Sequence, residues 1–150
     1  MPRDQNLFDL RRFVEAQTSN YEEALAELRA GRKETHWSWY VFPQIRGLGS
    51  SPTSIRFAIH SLAEARAYLE HEILGARLRE SVKAMNAHKG MSATRILGDI
   101  DAQKFRSCLT LFTRAAPSER IFGEALLNFF DGVPDASTID ILARQQADEK

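Results

Sequence analysis

The stretch DAQKFRSCLTLFTRA, residues 101–115, decides the fold. Phe105, Cys108, Leu109 and Phe112 fall at i, i+3, i+4 and i+7, which lays one apolar stripe along a helix, and no Gly or Pro interrupts them. Asp101 is placed to cap this helix and Pro117 to end it. Downstream, Phe122, Ala125, Leu126 and Phe129 repeat the spacing until Gly132 and Pro134 stop it, and a last short helix is expected after Asp135. Upstream, Ser92 caps a single turn before Gly98, and residues 72–88 pack through Leu74, Leu78, Val82 and Met85 before ending at Gly90. Ser61 and Glu64 form a capping box for residues 62–70. Tyr21, Ala24, Leu25 and Leu28 mark a helix that starts at Asn20 and closes on Gly31, and residues 7–18 form the first, with Asn6 as its cap.

The 19 Ala and 15 Leu against only 4 Val favour helix throughout. The expected architecture is therefore all-α: seven to eight short helices in one compact domain spanning residues 1–150. A chain of this length buries roughly two thirds of its unfolded surface and needs no disulfide or metal to hold a core.

Charge excludes several partners. The 20 basic and 20 acidic side chains balance, and no third of the chain concentrates cations as a nucleic-acid binder does. The longest unbroken apolar run, residues 39–42, is far short of the roughly 20 residues needed to span a bilayer, so no membrane partner is expected. The N-terminus lacks a signal-peptide apolar stretch, and the single Cys108 cannot form an internal disulfide, which together predict a cytoplasmic address. Oligomeric state is not legible.

The least core-like segment is HWSWYVFPQ, residues 36–44, with both tryptophans of the chain inside three residues. Trp37 and Trp39 offer stacking area, His36 exchanges a proton near neutral pH, and Gln44 can donate and accept hydrogen bonds. Two readings stand: an aromatic core cluster pinned by a hydrogen-bonded histidine, or a pocket for a planar ligand. The adjoining loop contains Gly47, Gly49 and Ser51, small residues that let backbone amides approach an anion, although no phosphate-loop signature is present. Arg46 and Arg56 flank that loop. A second candidate is the polar face carrying Lys104 and Ser107, where Lys104 suits an anion contact better than a base. The four dispersed histidines and lone cysteine support no metal site, and Cys108 reads as a small core residue.

At these segments the chain resembles the bacterial and fungal DUF1810 family, a domain of unknown function. The resemblance runs along almost the whole chain. It is carried by Phe13, Ala16, Gln17, Tyr21 and Gly31, by His36, Trp37, Trp39, Phe42, Pro43, Gln44, Gly47, Leu48, Gly49 and Ser51, by Tyr68, Leu69, His71, Leu74, Gly75, Arg77 and Leu78, and by Gly98, Asp101, Lys104, Ser107, Thr110, Leu111 and Phe112. Ser38, Tyr40, Glu72 and Cys108 depart from the family's commoner Met, Phe, Pro and Ser. The resemblance implies an all-helical fold and no known reaction. Some relatives carry the label calpastatin, whose inhibitory segments are disordered, unlike this patterned core.

The functional expectation is that His36, Trp37, Trp39 and Gln44 converge with Lys104 and Ser107 on one cleft rimmed by the loop of Gly47, Gly49 and Ser51. Such a cleft would take a small, planar, anionic, nucleotide-like ligand. The tryptophans would stack on its ring, Gln44 would read its edge, Lys104 and the loop amides would hold its anion, and His36 would be the acid or base of any hydrolytic or transfer step. No cofactor is implied. The rival expectation is a noncatalytic protein-interaction module with the aromatic segment as core or docking patch.

Overall fold

The computed structural model describes residues 8–35 and 37–148, with Ser38, Trp39 and Asp148 described by backbone only. The fold is all-α. Ten helical segments and no strand occur among the described residues: α1 (Arg11–Thr18), α2 (Tyr21–Ala30), α3 (Ser38–Val41), α4 (Pro52–Arg56), α5 (Leu62–Glu70), α6 (Glu72–Asn86), α7 (Ala93–Leu97), α8 (Asp99–Ala115), α9 (Arg120–Phe130) and α10 (Ala136–Asp148). Seven of them reach eight residues or more.

The stripe that decided the fold makes α8 the central element. Phe105, Cys108, Leu109 and Phe112 are fully buried, and α8 packs against α3, α5, α7, α9 and α10. Each large apolar side chain so buried contributes about 1.5 to 3 kcal/mol. Around it Phe42 and Phe129 pack at tilted or edge-on angles against Phe105, while Tyr68 and Phe122 pack tilted against Phe112.

Helix ends follow local chemistry. Ser51, Ser61 and Ser92 accept backbone N–H bonds from Ser54, Glu64 and Arg95. Gly31 closes α2 in the left-handed conformation, at φ 75°. Two ends differ from expectation. Glu64 does not return to the Ser61 N–H as a capping box requires; its carboxylate accepts from the His60 N–H at 2.9 Å and from Arg12 at 2.7 Å, fully buried. Asp101 does not cap α8, because the positive φ of Gly98 (87°) lets the helix begin at Asp99 and leaves Asp101 in its first turn, free to form ion pairs. The first helix starts at Arg11 rather than residue 7, and Asn6 lies outside the described residues. The last helix, at 13 residues, is longer than expected.

Between α3 and α4 the chain is extended enough for one parallel bridge, Ile45 to Ile59. The Ile59 N–H donates to Gln44 O and the Arg46 N–H to Ile59 O, both at 2.8 Å. This bridge pins the start of the glycine loop beside α8 and α10.

Candidate functional site

Gln44, Lys104 and Ser107 line one cleft of about 540 Å³, with Leu48, Asp99, Ile100, Gln103, Asp135 and Ser137. Helical periodicity builds one wall: residues 99/100, 103/104 and 107 recur every three to four positions, so they share a face of α8 away from its buried stripe. The bridge to Ile59 sets the backbone of Gln44 on the opposite wall. Asp135 and Ser137, at the start of α10, close the end.

Most polar groups of the cleft are held by protein partners. Asp135 accepts from Gln103 Nε2 at 2.9 Å on one oxygen and from the Thr138 N–H at 2.9 Å on the other, which caps α10. The Ser107 hydroxyl donates back to Gln103 O at 3.1 Å, the usual i−4 bond of a helical serine, and among the described residues no general base is bonded to it. Lys104 Nζ lies 3.1 Å from Asp101 Oδ1, and the other Asp101 oxygen lies 2.8 Å from Lys33 Nζ. Burial pushes the Asp101 carboxyl up, but the two ammonium groups outweigh it and hold its pKa below the ordinary value. Gln44 differs in that its unpaired atom is buried: its Nε2 has no hydrogen-bond partner.

The other predicted residues lie elsewhere. Trp37 does not offer a stacking surface: it is 2% exposed, packed 5.7 Å from Phe42, and its indole donates to Glu27 Oε1 at 3.0 Å. A ring this buried, with Phe42 against it and Lys33 Nζ 5.1 Å from its centroid, has no face left for a ligand, which corrects the stacking role for Trp37. His36 and the Trp39 side chain lie outside the described residues. Gly49 faces a small cavity of about 50 Å³ behind the loop, which Gln44 also lines, and Gly47 faces that cavity and a neighbouring trough. Ser51 spends its hydroxyl on capping α4 and exchanges a hydrogen bond with Ser54, so it does not reach the cleft. The loop rims the cleft through Leu48 alone.

Sequence reading missed Asp99, Gln103, Asp135 and the buried carboxylate of Glu27. The first two follow from extending the Lys104 and Ser107 face one turn upstream. Glu27 sits among Ala24, Leu25 and Leu28 on the apolar side of α2, and a carboxylate in that position signals a buried partner. Among the described residues no cluster of three or more His, Cys, Asp or Glu could hold a metal ion, and no helix is long and apolar enough to cross a membrane. Cys108 is fully buried and burial pushes its thiol pKa well up, the opposite of an activated nucleophile.

A small all-helical protein with a polar cleft between its central helix and a glycine loop is thus the class that fold and site define. The chain belongs to the DUF1810 family of proteins of unknown function, whose family model matches residues 7–142. Among solved structures it is similar to the crystal structure of the conserved hypothetical protein Rv1873 from Mycobacterium tuberculosis at 1.38 Å, with 48% identity, 91% of this chain and 97% of that chain covered, and a TM-score of 0.89. No curated protein matches.

Proposed function

We propose that the cleft binds a small ligand with a planar hydrogen-bonding group and an anionic group, nucleotide-like in its chemistry. Gln44 carries the proposal. A buried amide without a partner costs about 1 to 3 kcal/mol, and a ligand carbonyl or ring nitrogen would recover it. The cleft's volume of about 540 Å³ lies within the range of small-molecule sites, and Leu48 and Ile100 supply apolar cover beside the polar wall. Lys104, whose Nζ lies 3.1 Å from Asp101 Oδ1, would face the ligand's anionic group. Trp37 has no part in the reading. A hydrolytic or transfer step would rest on His36 and is proposed on residue type alone.

The test is thermal unfolding against nucleotides, NAD, ADP-ribose and sugar phosphates, in the native protein and Gln44→Leu. A ligand at 100 times its Kd stabilises by about 2.7 kcal/mol, which for a domain this size is roughly 5 to 11 °C. Gln44→Leu is expected to raise the melting temperature of the free protein, by removing the unpaired amide, and to abolish the ligand shift. If Gln44→Leu destabilises the free protein and leaves a ligand shift intact, the proposal fails. The alternative, a noncatalytic interaction module, draws on the exposed apolar side chains Ile100 (76%), Leu127 (66%) and Val133 (52%), and a panel without any shift would favour it.

A further inference from the structure

Across Leu48 and Ser137 from the cleft lies a second hollow of about 540 Å³, formed where the glycine loop meets α10. Arg46 lines it from the loop and Arg144 from the helix. We propose that this trough is an oxyanion subsite in which Arg46 and Arg144 receive the phosphate or pyrophosphate group of the ligand whose remainder lies in the cleft. The inference rests on the cleft reading and adds the ligand's chemical class to it.

Three observations support the subsite. Both Arg46 and Arg144 are exposed, and among the described residues neither side chain makes an ion pair or hydrogen bond, whereas Arg12, Arg29 and Arg79 are each paired to a glutamate. The two come from separate elements onto one concavity, the arrangement in which planar guanidinium forks grip a phosphate from two sides. Among the described residues Asp140 is the only carboxylate lining the trough, so two cations face one anion there. The adjoining cleft is lined by Asp99 and by Asp135, which is already bonded on both oxygens, and Lys104 adds a further cation.

Gly47 sets the trough's width. Its φ of 108° lies in the left-handed region, and a Cβ there would stand 3.2 Å from Ile141 Cδ1, so glycine lets the loop rest directly on α10. The bridge to Ile59 holds Arg46 by its backbone N–H at 2.8 Å, leaving its side chain to reach outward. Gln145 of the same rim is engaged elsewhere, donating to His60 O at 2.8 Å.

The experiment is titration calorimetry at low ionic strength with three probes: inorganic pyrophosphate, adenosine and AMP. Pyrophosphate is expected to bind the native protein, with affinity falling about tenfold or more in Arg46→Gln and in Arg144→Gln and unchanged in Gln44→Leu. Arg120→Gln, which removes an exposed and unpaired guanidinium on α9, controls for overall charge. No heat with pyrophosphate up to about 10 mM, or an equal loss in Arg120→Gln, overturns the subsite. Adenosine binding that persists in both trough variants alongside either result leaves the cleft reading standing and removes only the subsite. Pyrophosphate binding sensitive to Arg46 and Arg144, with no adenosine binding and no added affinity for AMP, upholds the anion site and removes the cleft.

Discussion

The indole of Trp37 donates to the carboxylate of Glu27, ten residues back along the chain, at 3.0 Å. The same carboxylate accepts from the Glu34 N–H at 2.7 Å, the Thr35 N–H at 3.0 Å and the Thr35 hydroxyl at 2.7 Å. One side chain therefore fastens the turn after α2 and orients the entry to the aromatic segment.

This arrangement makes stability acid-sensitive in a defined window. Burial pushes the Glu27 pKa up, but the four donors outweigh it and bring it from 4.5 down to about 2. A folded-state pKa below the unfolded one gives stabilisation that is complete above about pH 5 and is lost as pH falls toward 2. Asp101, also held low, adds in the same direction. Glu27→Gln should cost roughly 1 to 3 kcal/mol near pH 7, because a neutral amide loses the charge that strengthens these four hydrogen bonds, and should flatten the acid limb. Urea unfolding followed by tryptophan fluorescence at several pH values checks both; equal acid slopes in the two proteins would refute the assignment.

What the sequence disclosed and what it hid separate by range. Phe105, Cys108, Leu109 and Phe112 announced α8 because helical period is a local property, and Gly31, Ser61 and Ser92 set helix ends through neighbours within a turn. The burial of Trp37 was hidden because aromatic rings suit a core and a pocket equally, and only the fold brings Glu27 to the indole. Asp101 has the right residue type for a cap, yet Lys33 arrives from a distant part of the chain and takes one of its oxygens. Gln44, Lys104 and Ser107 were named from two separate segments, and they line one cleft; Asp135 was missed as a cleft residue because its position follows from where α10 docks.

His71 predicts a second pH effect. Its Nδ1 accepts from the Ile73 N–H at 3.1 Å and the Leu74 N–H at 3.3 Å, capping α6, while its own N–H closes α5 on Ala67 O at 2.9 Å. A ring nitrogen accepts only when unprotonated, and burial, against the opposing charge of Glu72, holds this histidine below its ordinary 6.5. The cap is therefore in place above about pH 6.5 and its contribution is lost as pH falls below that. His71→Ala should cost about 1 kcal/mol near pH 8 and less near pH 5, whereas His71→Asn should retain most of the cap. Denaturant unfolding at the two pH values measures the difference, and a cost independent of pH would rule out the capping nitrogen as its source.

Gly75 and Gly123 should respond to the same substitution with opposite signs. Both lie inside helices, α6 and α9, where Gly→Ala normally stabilises by about 0.5 to 1 kcal/mol through backbone entropy. At Gly123 a Cβ would meet nothing within 4 Å, so Gly123→Ala should show that gain. At Gly75 the Cβ would stand 2.9 Å from the carbonyl carbon of Leu69, closer still to its oxygen, and 2.8 Å from Arg79 Nη1. The Arg79 side chain can swing aside, although its bond to Glu119 at 2.6 Å resists this, but the Leu69 carbonyl belongs to the last turn of α5 and cannot move without parting α5 from α6. Gly75→Ala should therefore lose roughly 2 to 4 kcal/mol despite its better helix propensity. Melting temperatures of the two variants decide the matter, and a stabilised Gly75→Ala would mean that the close approach of α5 to α6 does not constrain the fold.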